Sequence, residues 1–277
     1  MDHFQGITAV ITGAGSGIGR AFAIELAKRG ANLALSDISQ SGLDETKQQL
    51  PRNVLTSTTV VDVISSDQMN QWAESIRQQH GQINLLINNA GIAAGGEFIN
   101  HGLTDIEAIV NINFRAVAIG SRLFLPDLIA SGNGHIVNIS SMVAYMGLPG
   151  NAMYAATKFA IRGFSEALAA ELNGSNVGLT VAFPGAIKTN IMRSAKFTSD
   201  EDKQKLVQLM DRFAMNPERA VNKILSAVLA GRRTITMGAE SRLLWLATRI
   251  APRITWRLVA AAYYRTRNNS PYRPDSG

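Results

Sequence analysis

A tyrosine and a lysine four residues apart, Tyr154 and Lys158, lie in a run from Ala152 to Leu172 whose apolar residues recur at helical spacing. Positions i and i+4 share one helix face, so the spacing holds a phenol beside an ammonium. A free tyrosine ionises near pH ~10. A neighbouring cation favours the phenolate and lowers that value towards the range in which acid/base catalysis works at neutral pH. Ser141 stands thirteen residues before Tyr154, at the end of the strand-like run His135–Ile139, where its hydroxyl can hold a substrate oxygen while Tyr154 exchanges a proton with it. A Tyr–Lys pair at this spacing can equally be plain helix surface, so its meaning depends on the rest of the chain.

The second stretch with chemical content is Thr12–Gly19, TGAGSGIG. It departs from GxGxxG, since position 18 is isoleucine and position 20 arginine, and fits TGxxxGIG. Its glycines permit a tight turn, a close backbone approach to a pyrophosphate and close packing of helix on strand. The helix that follows offers N–H donors and partial positive charge at its start. Asp37 comes eighteen residues after Gly19, at the end of a second apolar run. A carboxylate there can accept from both ribose hydroxyls and repels a 2′-phosphate, with no basic residue at Ser16 or Ile38 to offset the repulsion. NAD is therefore expected over NADP, although an aspartate of this kind can also simply form a turn.

The elements that must position these residues alternate. Strands are expected at 6–12, 32–36, 54–61, 83–87, 135–139, 177–182 and 234–237. Helices are expected at 18–29, 39–50, 66–79, 104–112, 114–130, 152–172 and 217–230. The strands are near-continuous apolar runs, as when helices cover both faces of a sheet. The expected fold is α/β: a single doubly wound, mostly parallel sheet with helices on both faces, occupying residues 1–240.

Composition narrows the function. The chain has 277 residues, 46% hydrophobic and 17% charged, an ordinary globular balance. It has no cysteine, and its four histidines (His3, His80, His101, His135) are scattered, so thiol chemistry is excluded and no metal site is expected. No GxSxG elbow occurs, which weakens a hydrolase reading. No signal peptide and no apolar run of spanning length are expected, giving a cytoplasmic assignment. Of the net charge of +6, +5 belongs to 240–277, with seven arginines against two acids, so the basicity describes a tail and not a nucleic-acid-binding body. Within 241–267, Leu243, Ala247, Ile250, Ile254 and Leu258 form an apolar stripe, with Arg242, Arg249, Arg253 and Arg257 beside it and Pro252 dividing it into two helices. Such a basic amphipathic extension can pack against the body, with its arginines at the rim, or against a sister subunit, or lie on an anionic membrane surface. Residues 268–277 are expected to be a disordered tail.

Four blocks in order, TGAGSGIG at 12–19, NNAG at 88–91, the Ser141–Tyr154–Lys158 set and PGAIKT at 184–189, together resemble the short-chain dehydrogenase/reductase family over about 6–240. The resemblance implies a Rossmann-like fold and an NAD-dependent oxidoreductase. It implies hydride transfer between a nicotinamide and a secondary alcohol, ketone or aldehyde, with a lipophilic substrate fitting a membrane-associated location. It makes Tyr154 the general acid/base and Lys158 the group that lowers its pKa and binds the nicotinamide ribose. Ser141 then orients the substrate, and Asn113 supports a water-linked proton relay. By the same likeness Gly13, Ser16, Gly17, Ile18, Gly19 and Asp37 hold the dinucleotide. Asp62 and Val63 meet the adenine, Asn89, Ala90 and Gly91 line the cleft, and Pro184, Gly185, Ile187 and Thr189 border the carboxamide. A substrate lid at 188–215 is implied, faced by Phe197, Leu206, Leu209, Met210 and Phe213, unless these pack on the body. So is a homodimer or homotetramer through 114–130 and 152–172. The rival is an NAD-binding scaffold without chemistry; members that took that route typically lose the tyrosine or the lysine, and both are present here.

Overall fold

The computed structural model describes residues 1, 3–189, 191, 196–197, 204 and 214–266. Seven strands form one sheet: β1 (Thr8–Thr12), β2 (Asn32–Asp37), β3 (Thr56–Val60), β4 (Leu85–Asn88), β6 (His135–Ile139), β7 (Gly178–Pro184) and β9 (Thr234–Met237). Their order is β3-β2-β1-β4-β6-β7-β9 and every pairing is parallel. Parallel neighbours need crossovers, supplied by α1 (Gly17–Lys28), α2 (Gln40–Gln48), α3 (Ser66–His80), α4 (Leu103–Val110), α5 (Ala116–Ala130), α6 (Ala152–Glu171) and α7 (Pro217–Leu229). The chain builds outward from β1 to β3 and returns to place β4 on the other side of β1. That reversal opens a crevice beyond the carboxyl ends of β1 and β4, where such sheets take their ligands.

The central strands are mostly apolar in their middles because each feeds two cores. Ile11, Leu33, Ile87 and Val137 join Phe22, Leu26 and Ile224 on one face. Their immediate neighbours Val10, Ala34, Leu86 and Ile136 join Trp72, Ile76, Phe124 and Leu128 on the other, as the period of two in a strand requires. Trp72 and Phe124 meet edge to face with ring centroids 5.9 Å apart. β3, expected as 54–61, is shorter, and its TSTTV sequence is only half-buried, as suits an edge strand.

The helices expected at 104–112 and 114–130 form one rod, because neither glycine nor proline separates them. A π-helical turn at Asn111–Arg115 joins α4 to α5. By length and composition the rod Leu103–Ala130 could cross a membrane, contrary to the expectation of no run of spanning length. Ile109, Phe124 and Leu128 on it are at most 1% exposed inside the protein, while Leu103 and Ile129 are exposed.

Pro252 does divide the extension, into α8 (Ala239–Ile250) and α9 (Pro252–Thr266). Packing of its apolar stripe on the body is not observed: Leu243, Ile250, Ile254 and Leu258 are 60–74% exposed. Of the expected lid, Phe197 lies in β8 (Lys196–Phe197), paired with β5 (Ala94–Gly95). Gly95 leaves the room its ring fills, so Phe197 packs on the body. Leu206, Leu209, Met210 and Phe213, and the tail from 268, lie outside the described residues.

His135 on β6 is buried, sharing a 2.9 Å hydrogen bond with the Thr180 hydroxyl. Burial, helped by the N-terminal ammonium, pushes its pKa down from 6.5 to about 4, and burial lowers that of His80 too. Between these two pH values the unfolded chain binds a proton that the folded one refuses, so stability falls as pH falls. His135 should account for about 3 kcal/mol of that loss. In His135→Gln, denaturant titrations at pH 7 and pH 4.5 should show a smaller difference than in the parent; an equal difference would assign the acid sensitivity elsewhere.

Candidate active site

The glycine turn between β1 and α1 is held by side chains on β4's carboxyl end. The Asn89 amide donates to the carbonyls of Thr12 and Gly13, both at 3.0 Å. The Thr12 hydroxyl accepts the backbone N–H of Asn89 at 3.0 Å and of Ala90 at 3.1 Å. Gly13 and Gly17 have φ of +67° and +52°, a region that side chains disfavour. A Cβ on Gly19 would collide with the Gly13 carbonyl oxygen, so this glycine sets how closely α1 packs on its own entry turn. Ser16 makes no side-chain cap on α1, leaving the first turn of the helix to face the crevice with its backbone donors.

Asp37 completes this end. Its carboxylate accepts the Gly15 N–H at 2.8 Å and the Ser39 N–H at 3.0 Å. Arg20, the basic residue next to the turn in sequence, is committed to Thr46, Glu45 and the carbonyls of Gly15 and Gly42.

At the other end, α6 is strapped to β6 through Lys158. Its Nζ donates to the Ile139 carbonyl at 2.9 Å, and its own carbonyl accepts the Ser140 hydroxyl at 2.9 Å. Ser140 is thus occupied in the strap, while the Ser141 hydroxyl accepts the Val143 N–H at 3.4 Å. The Lys158 Nζ is 5.6 Å from the centre of the Tyr154 ring. The pair is as close as its i, i+4 spacing requires, but the expected depression of the phenol's pKa is not what the structure gives. Burial pushes Tyr154 up to about 12, with the neighbouring Ser141 hydroxyl opposing, and pulls Lys158 down to about 8. Burial penalises both charged forms, the phenolate and the ammonium.

Asn113, fully buried in the π-helical turn, uses its side chain on the loop after β4. It accepts the Ile92 N–H at 2.8 Å and donates to the Ile92 carbonyl at 2.9 Å and the Thr157 hydroxyl at 3.2 Å. Thr157 in turn donates to the Tyr154 carbonyl at 2.8 Å. This amide links the crevice wall to the tyrosine's helix.

One cleft of about 1050 Å³ joins the two ends. Its wall includes Gly13, Ser16, Gly17, Ile18, Asp37, Asp62, Val63, Asn89, Ala90, Gly91, Ser141, Tyr154, Lys158, Pro184, Gly185, Ile187 and Thr189. Gly19 and Asn113 lie behind the wall in the contacts just described. Sequence reasoning missed Ile92, Met142, Val143, Leu148, Asn151 and Glu240, which also line it. Ile92, Leu148 and Asn151 come from loops and Met142 and Val143 from a short 3-10 turn, whose paths no periodicity reveals. Glu240 stood at the expected end of the domain, yet its carboxylate accepts the Ala186 N–H at 3.1 Å, so α8 begins as part of the cleft. Among the described residues no cluster of metal-ligating side chains occurs.

The profile of the family described as short chain dehydrogenase matches residues 7–200. The chain belongs to the short-chain dehydrogenase family. SadH of Mycobacterium tuberculosis, named as an oxidoreductase, is 40% identical over 268 residues, covering 94% of this chain and 96% of that one. The 3-oxoacyl-[acyl-carrier-protein] reductase FabG of Thermotoga maritima is 36% identical over 68% of this chain and 76% of its own. A short-chain dehydrogenase from Burkholderia phymatum solved in complex with NAD superposes with a TM-score of 0.79 at 26% identity, over 99% of this chain and 100% of that one. The seven-stranded parallel sheet and its flanking helices are thus the short-chain dehydrogenase fold, and the protein is an oxidoreductase of that family.

The contact between Gly19 and the Gly13 carbonyl can be tested directly. Gly19→Ala should lower stability by about 1–3 kcal/mol, because the methyl group must push α1 off its turn. Chemical denaturation would read the loss, and a variant as stable as the parent would mean that this approach is not constrained.

Proposed function

We propose that the protein transfers a hydride between NAD and a lipophilic secondary alcohol, ketone or aldehyde. The observation that carries this reading is that the glycine turn with Asp37, at one end, and Ser141, Tyr154 and Lys158, at the other, face a single continuous cleft. The glycine turn and the first turn of α1 fit a pyrophosphate, and Asp37 fits a ribose with free hydroxyls. A 2′-phosphate would meet that carboxylate with Arg20 already committed elsewhere, which favours NAD over NADP. The bound nicotinamide supplies hydride exchange with the substrate carbon. Ile92, Met142, Val143 and Leu148 give the substrate end an apolar wall, which supports a lipophilic substrate.

In this reading Ser141 holds the substrate oxygen and Tyr154 exchanges a proton with it. Lys158 balances charge beside the phenol, and Asn113 acts through the Ile92 loop and Thr157 to fix the tyrosine's helix. Because burial keeps the phenol protonated at neutral pH, Tyr154 is set to donate a proton to a carbonyl oxygen, and oxidation of the alcohol first requires its ionisation. Acid/base work of this kind contributes about 10²–10⁴-fold. The family resemblance further suggests assembly through α5 and α6.

Tyr154→Phe should leave NAD binding, followed by calorimetry, nearly unchanged and reduce turnover on a panel of secondary alcohols and ketones at least about 10²-fold. Retained turnover would remove the mechanism. In the parent, alcohol oxidation should climb from pH 7 to pH 10 as the Tyr154–Lys158 pair loses protons, while carbonyl reduction stays level or declines. Asp37→Ser should narrow the NAD-to-NADP preference by about tenfold, corresponding to ~1.4 kcal/mol. A thermal melt would separate that effect from loss of the Gly15 hydrogen bond.

A further inference from the structure

The C-terminal pair of helices leaves a surface that the proposed chemistry does not use. Leu243, Leu246 and Ile250 on α8 and Ile254, Trp256 and Leu258 on α9 are 47–74% exposed, and exposed apolar surface of this amount marks a docking face. Between Ser241 and Thr266 there are five arginines, at 242, 249, 253, 257 and 265, and not one acid. The Arg249 guanidinium lies over the ring of half-exposed Trp245, 5.3 Å from its centre.

We propose that α8 and α9 dock the protein on an anionic phospholipid bilayer. Charge decides between the two occupants that an apolar face of this kind admits. A two-fold contact between copies sets the same patch against itself, which here would bring arginines against arginines with no carboxylate in the segment to receive them. An anionic headgroup layer supplies the missing charge, the acyl boundary takes the leucines and isoleucines, and tryptophan suits the level between them. The placement also matters. Ala239 and Glu240, in the first turn of α8, line the cleft. The Tyr263 ring of α9 stands 3.7 Å from where a Cβ on Gly150 would lie, between the cleft residues Leu148 and Asn151. Docking would therefore set the substrate end of the cleft beside the bilayer, a route for lipophilic compounds. That route rests on the proposed activity; the docking itself does not.

The test is co-sedimentation of the full chain with sucrose-loaded vesicles, of phosphatidylcholine alone and of phosphatidylcholine with phosphatidylglycerol, at low and high salt. Binding should require phosphatidylglycerol and weaken as salt rises. Arg253→Gln with Arg257→Gln should reduce it about fivefold per arginine. Ile250→Asp with Leu258→Asp should abolish it while leaving the thermal melt unchanged, since both side chains already face solvent. Absence of binding to anionic vesicles, or equal binding to both compositions, would overturn the proposal. So would a sedimentation-velocity dimer of the parent, without lipid affinity, that the double aspartate variant dissociates; the face would then belong to a second copy. No outcome depends on turnover, so failure here and failure of the dehydrogenase reading are separate results.

Discussion

Lys158 is anchored at both ends to β6, through its ammonium to the Ile139 carbonyl and through its own carbonyl to the Ser140 hydroxyl. The position of the phenol follows from this, because α6 is a rigid helix and Tyr154 lies one turn before the lysine on the same face. The strap ties a buried cation to a carbonyl that the end of the sheet ladder leaves available. It thereby reduces the cost of burying the ammonium. It also fixes the register of α6 on the sheet, and with it the distance from Tyr154 to Ser141.

Beneath the cleft the two central strands carry polar side chains where an apolar core would be expected. The Asn88 amide donates to Asn138 at 2.8 Å and to the Ser121 hydroxyl at 3.1 Å, and Asn138 donates to the Ser165 hydroxyl at 2.9 Å. These bonds join β4, β6, α5 and α6, the four elements that set the floor and one wall of the site. Asn88 Oδ1 is left without a partner, a cost that a purely apolar core would avoid. Buried polar networks of this kind specify one arrangement where apolar side chains would tolerate several. Here the arrangement concerned is the height of α6 over β6.

The elements were legible because their signals are local. The period of two in the strands, the helical spacing of 152–172 and the glycine turn each need only neighbouring residues. What escaped is what arises between distant segments. The elevated phenol depends on how many atoms surround Tyr154, which a spacing of four cannot state. The partners of the Asn113 side chain, Ile92 and Thr157, lie 21 and 44 residues away, beyond the reach of any local pattern. Glu240 fell at a boundary drawn from composition, whereas its contact with Ala186 spans 54 residues. The single rod of α4 and α5 was read as two helices because a π-helical turn has no residue signature comparable to proline or glycine.

The C-terminal helices show the same division between what anchors an element and what it presents. α8 is attached by polar bonds at its start, the Ser241 hydroxyl donating to the Phe183 carbonyl at 3.2 Å beside the Glu240 contact. α9 is tied back to α8 through the Thr255 hydroxyl, which donates to the Ala247 and Ala251 carbonyls at 3.1 and 2.9 Å. These bonds fix how the pair sits on the body while most of its large apolar side chains stay exposed. A helix that owed its place to hydrophobic burial would turn that face inward. Here the buried and half-buried side includes Ser241, Leu244, Ala247, Thr255, Val259 and Tyr263, which leaves Leu243, Leu246, Ile250, Ile254, Trp256 and Leu258 on the outside. The exposed stripe is therefore a consequence of how the pair is held, and not of a failure to pack.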